Sequence, residues 1–117
     1  MKKLILLFAI LISFLIVSCN SNAVEANRDG VIADLNNLGA MAQQFYRKPV
    51  SMGGGGNTFY GWKIPQGVEK TSNGTYIATV NSQVVTIVGT GNEENEGNLI
   101  QHTATVTPNT ITIIKNN

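Results

Sequence analysis

Three kinds of patterning follow one another along the chain. Leu4 to Val17 is an almost unbroken apolar run, interrupted only by Ser13. From Val24 to Tyr46 the apolar positions take helical steps: Val24, Val31, Leu35, Leu38, Ala42 and Phe45 recur at intervals of seven, four, three, four and three. That spacing places them on one stripe of a helix, which Ile32 and Met41 widen, while Arg28, Asp29, Asp34, Asn36, Asn37, Gln43 and Gln44 mostly occupy the other side. After Gly74 the chain turns to β-branched runs, which favour strands.

The helix is predicted to stop near Arg47. Pro49 disfavours helical geometry at Lys48, and the glycine run at 53–56 cannot sustain a helix. Within the helix, Gly39 costs about 1 kcal/mol relative to alanine, which marks it as a point of close approach by another element. Residues 50–74 carry Gly, Asn and Pro punctuation, yet contain Phe59, Tyr60, Trp62 and Ile64. Rings of that size are expected to lie across the domain, some of them buried.

Strands are predicted at 75–80 and 84–89, joined by Asn81-Ser82-Gln83, and at 99–106 and 110–115, joined by Thr107-Pro108-Asn109. Between the two hairpins, residues 89–98 read as a polar loop. The fold class is therefore α+β, one long amphipathic helix covering one face of a four-stranded antiparallel sheet. The chain divides into an N-terminal signal segment at 1–18, a polar tether at 19–23 and a single α+β domain at 24–117.

Charge and cysteine content sharpen this picture. Lys2 and Lys3 precede the apolar run, the build of an export signal. Fourteen residues of helix reach roughly 21 Å, short of the roughly 30 Å hydrocarbon core that a spanning helix crosses. Beyond the signal, six basic residues (Arg28, Arg47, Lys48, Lys63, Lys70, Lys115) face seven acidic ones, a balance of −1 with no basic run to neutralise phosphates. Nucleic acid is not an expected partner. With one cysteine there is no intrachain disulfide, and the fold must rest on apolar packing.

That cysteine ends the apolar run. Ile16-Val17-Ser18-Cys19 resembles a bacterial lipobox, with a branched apolar residue, a tolerant position, a small residue and then cysteine. The resemblance implies diacylglyceryl attachment at the Cys19 thiol and cleavage between Ser18 and Cys19. Each buried methylene of an acyl chain contributes about 0.8 kcal/mol, and two or more chains make anchoring stable. The bland alternative is an unmodified cysteine behaving as a small hydrophobe.

Other chemistry is sparse. Gly53 to Gly56 lacks the Gly-Lys-Ser/Thr continuation of a phosphate loop and reads as a turn or flexible loop. His102 stands without a second histidine or a cysteine nearby and reads as a strand residue with a satisfied ring rather than a ligand. Glu93, Glu94 and Glu96 lack the alternating pattern of a calcium loop and read as solvated. Asp29 and Asp34 are five apart, roughly 140° round a helix, and do not pair for acid–base work; Asp29 with Arg28 is read as bracing the helix start. No serine sits in a nucleophile elbow. No catalytic residue, metal ligand or cofactor is expected. Phe59, Tyr60 and Trp62 remain as either a core lid or a partner surface.

The run Asn27 to Pro49, followed by the glycines and Phe59-Tyr60-Gly61-Trp62, resembles the first helix and following loop of type IV pilin-like and pseudopilin-like proteins. The matching positions are Arg28, Asp29, Asp34, Leu35, Leu38, Ala42, Gln43, Phe45, Tyr46, Arg47 and Pro49, and the resemblance spans residues 23–64. It implies a four-stranded antiparallel sheet packed on that helix. Between Lys3 and Val24 there is neither a Gly-Phe-Thr-Leu-like cleavage site nor a glutamate within the apolar run. The resemblance thus implies a pilin-like head whose spanning helix is replaced by a lipid anchor. The expected function is a membrane-anchored, extracytoplasmic lipoprotein of the bacterial cell envelope, not an enzyme, with a structural or protein-binding role toward envelope or pilin-like partners. The alternatives are a pilin or pseudopilin subunit that keeps its N-terminal membrane helix, and a small ligand-binding lipoprotein.

Overall fold

The computed structural model describes residues 2–117, with side chains from Asn22 onward. The signal segment at 1–18, and with it Ser18 and Cys19, lies outside the residues whose side chains are described. The elements in chain order are α1 (Lys2–Arg47), a single 3₁₀ turn at Val50–Met52, β1 (Gly74–Val80), β2 (Val85–Asn95), β3 (Asn98–Val106) and β4 (Ile111–Lys115). The helix ends at Arg47 as expected, and its first residue lies upstream of the predicted start at Val24.

Heptad-like spacing decides which face of α1 is buried. Val31, Leu35, Leu38 and Ala42 are fully or nearly fully buried, with Val24 and Phe45 half-buried at the ends of the stripe. Met41, expected to widen the stripe, is exposed, because the sheet covers only a narrow strip of the helix. Gly39 meets its expectation: a Cβ there would lie 2.8 Å from Ile111 Cδ1 and 3.2 Å from Val106 Cγ2, so the small residue lets β3 and β4 approach the helix.

The sheet is an antiparallel meander in the order β1-β2-β3-β4. Period-two alternation sorts its side chains between two faces. Tyr76, Val85, Ile87, Ile100, His102, Ala104 and Val106 are buried on the face that α1 covers. The opposite face carries two rows in register, Ile77–Val88–Thr103–Ile114 and Thr79–Thr86–Thr105–Thr112. Neither row contains a charge, and Ile77 and Ile114 are largely exposed, so the first row departs from the polar outer face usual for a sheet with one side in solvent.

The predicted polar loop at 89–98 is corrected. β2 continues to Asn95, β3 starts at Asn98, and Glu94↔Leu99 and Asn95↔Asn98 pair after a register shift beyond Thr90. Glu96 and Gly97 form the turn, both at positive φ (53° and 83°), the geometry that closes a two-residue hairpin. Polar composition concealed the strand because these residues lean on no core; a side chain from α1 supports them instead, as described below.

Candidate functional site

The glycine run after α1 has a structural task. The last carbonyls of a helix lack intrahelical partners. Here Gly55 N donates to Phe45 O (2.8 Å), Asn57 N to Tyr46 O (2.8 Å) and Gly56 N to Lys48 O (3.0 Å). A Cβ on Gly55 would lie 1.9 Å from Thr58 O, so the return of the chain onto the helix end demands glycine there. These amides face helix carbonyls and are not turned toward a phosphate, so the segment is an ordered cap rather than a flexible loop.

From this cap the chain lays its aromatic segment over the core. Phe59 is fully buried and Trp62 nearly so, while Tyr60 is 61% exposed. Phe59 stacks obliquely on Tyr46, with ring centroids 4.8 Å apart, and its amide donates to Ser82 O in the β1–β2 turn (2.9 Å). Tyr46 Oη donates to Gln83 Oε1 (2.8 Å) and Gln83 Nε2 to Asn57 O (3.1 Å), tying the helix end, the cap and that turn together. Of the three aromatics, Phe59 and Trp62 form the lid, and Tyr60 alone offers a large exposed surface.

Three polar residues anchor α1 to the layer above it, and two of them, Asp34 and Gln43, are among the positions expected on the side away from the apolar stripe. Asp34 Oδ2 accepts hydrogen bonds from Thr71 Oγ1 (2.7 Å), Asn73 Nδ2 (3.1 Å) and Tyr76 Oη. Burial opposes its ionisation, but the donors Tyr76, Thr71 and Asn73 outweigh burial and hold its pKa below the ordinary value. Burial, followed by the bond to Asp34, pushes the Tyr76 phenol upward. Asn27 Nδ2 donates to Asn73 O (2.8 Å), and its Oδ1 accepts from Asn92 N and Glu93 N (3.1 Å each). This is the support that carries β2 beyond Thr90. Toward the other end of the helix, Gln43 Nε2 donates to Thr107 O (3.0 Å) and Thr110 O (3.2 Å). The only sequence signal for these roles was a polar residue on the helix, which carries no information about a partner 37 to 67 residues away.

His102 corrects an expectation. Its ring is fully buried, yet neither Nδ1 nor Nε2 finds a hydrogen-bond partner among the described residues. Burial lowers its pKa, against a smaller raising contribution from the Gln101 backbone, which lies near the ring without reaching hydrogen-bond geometry, and the positive charges of Arg28 and Lys115 act in the same direction as burial. The pairing of Arg28 is also corrected: it bonds Glu25 Oε1 at 2.9 Å, one helical turn back, in place of Asp29. Glu93, Glu94 and Glu96 are exposed, and no group of three His, Cys, Asp or Glu side chains among the described residues could hold a metal ion. Among the same residues no helix is long and apolar enough to cross a membrane. Comparison with protein-family models, curated proteins and solved structures finds no match to this chain.

Proposed function

We propose that this chain is an extracytoplasmic, membrane-anchored protein with a pilin-like head, serving a structural or protein-binding role in a bacterial cell envelope. One observation carries the reading: a helix ending in Phe-Tyr-Arg-x-Pro lies across one face of a four-stranded antiparallel meander, and a glycine-capped aromatic segment closes over its end. Polar groups along the seam are spent on pinning helix to sheet, which fits a rigid module that presents surfaces to a partner better than one that performs a reaction. The Ile16-Val17-Ser18-Cys19 run supplies the anchor in this reading.

Metabolic labelling with a fatty acid in a bacterial host tests it. Wild-type chain is expected to take up label and Cys19→Ala to take up none; absence of label on the wild type, or equal label on both, overturns the lipoprotein assignment. A second reading, a pilin or pseudopilin subunit that keeps its N-terminal helix, is favoured by α1 running from Lys2 to Arg47 as one element. Intact-mass analysis separates the two, because acylation and cleavage leave a chain that begins at a modified Cys19.

A further inference from the structure

The first strand of the sheet is only half covered along its outer edge. Asn81 N donates to Val84 O (2.9 Å), which makes that pair hydrogen-bonded and, by alternation through the β1–β2 register, Thr79↔Thr86 and Ile77↔Val88 as well. The N–H and C=O groups of Tyr76, Ala78 and Val80 therefore point away from β2. At one end the chain covers this edge itself: Thr71 N donates to Gly74 O and Tyr76 N to Glu69 O (2.9 Å each), with Lys70 bridging Thr75. The segment then leaves the edge through a turn in which Val68 N donates to Pro65 O (3.2 Å). The main-chain groups of Ala78 and Val80 receive no partner among the described residues. An edge strand with such open groups is a template for pairing with another chain.

Beside these groups lies a groove of about 330 Å³ whose walls include Trp62, Ile64, Ala78 and Val80, with Lys63 and Glu69 also lining it. We propose that this groove is a β-augmentation site that captures an extended segment of another polypeptide. The captured segment continues the partial strand at Glu69–Thr71, bonds the free groups of Ala78 and Val80, and places an apolar side chain between Trp62, Ile64 and Val80. Glu69 lies at the Tyr76 end, and Lys63, next to the Phe59–Trp62 segment bonded to Ser82, at the Val80 end. An antiparallel segment with an acidic residue toward its N-terminus and a basic one toward its C-terminus complements both. A second copy of this chain fits poorly, because the Glu69–Thr71 segment of each copy already fills half of its own edge. The opposite edge, β4, ends in Lys115, a charge that discourages an incoming strand.

The inference deepens the protein-binding half of the proposed function, and its test does not depend on acylation. The full chain in detergent micelles is titrated with a short capped peptide of alternating valine and threonine, with glutamate at its N-terminal end and lysine at its C-terminal end. The amide resonances of Ala78 and Val80 are expected to shift saturably and to gain about tenfold protection from hydrogen exchange. Ala78→Pro removes an outward-facing N–H that β2 does not use, a substitution that edge strands tolerate. It is expected to weaken binding about tenfold, while Ile113→Pro on the β4 edge leaves it unchanged. Methylating the peptide amides that face β1 abolishes binding without altering the protein. Absence of shifts at millimolar peptide, shifts confined to Ile111 and Ile113, or binding indifferent to both Ala78→Pro and amide methylation overturns the proposal. Failure of Cys19 labelling with peptide capture intact removes the anchor alone; the reverse removes the groove alone.

Discussion

His102 is a buried imidazole whose nitrogens find no hydrogen-bond partner among the described residues, and such a group costs about 1–3 kcal/mol where it sits. Replacing it with a side chain of similar bulk and no polar atoms removes that cost, so His102→Leu is expected to raise the denaturant midpoint at neutral pH. The pH dependence has a definite sign. The folded-state pKa lies below 6.5, so the unfolded chain binds the proton more readily. This contribution to stability is fully present above about pH 6.5 and is lost as the pH falls below it toward the folded-state value. Urea titrations across that window are expected to show the decline in the wild type and a flatter profile in His102→Leu; identical profiles would remove His102 as the source. Asp34 works in a lower window. Its lowered pKa adds stability above about 3.8 that disappears as the pH falls below that value through the folded-state pKa. Asp34→Asn leaves Tyr76, Thr71 and Asn73 with a weaker acceptor and is expected to cost about 1–3 kcal/mol near neutral pH, measured by chemical denaturation. In strong acid the two proteins should converge.

At the scale of elements, the end of α1 depends on a chain reversal that only glycine permits. A methyl group on Gly55 meets the Thr58 carbonyl at 1.9 Å and the Phe45 ring at 2.8 Å, so the cap must open or the lid must shift. Gly55→Ala is expected to destabilise by about 1–3 kcal/mol, with thermal unfolding as the measurement. Gly53→Ala meets nothing within 4 Å and bears only the cost of its φ of +86°, about 1 kcal/mol. A reversed order of the two variants would contradict the capping role. The helix could be read from periodicity because Val31, Leu35, Leu38 and Ala42, which the structure buries, recur at helical intervals, and the four strands from their β-branched runs separated by turn residues. The outer part of β2 could not, since Asn92 and Glu93 are held by backbone bonds to Asn27 rather than by burial of their own side chains.

For the whole molecule, the amino-acid sequence alone determined that a helix ending at Arg47 covers one face of four antiparallel strands, because helical apolar spacing, β-branched runs and Pro/Gly punctuation are all local signals. The same sequence marked Gly39 as a point of close approach. Only the tertiary structure decided which polar residues join the two layers, that Phe59 and Trp62 turn inward while Tyr60 turns out, that His102 finds no partner among the described residues, and that β1 keeps an open half-edge beside a groove with apolar and charged walls. These features depend on groups far apart in the chain that folding brings together, or on where a covering segment turns away. Hydrogen bonds of that range leave no periodic trace in a chain, whereas hydrophobic burial does.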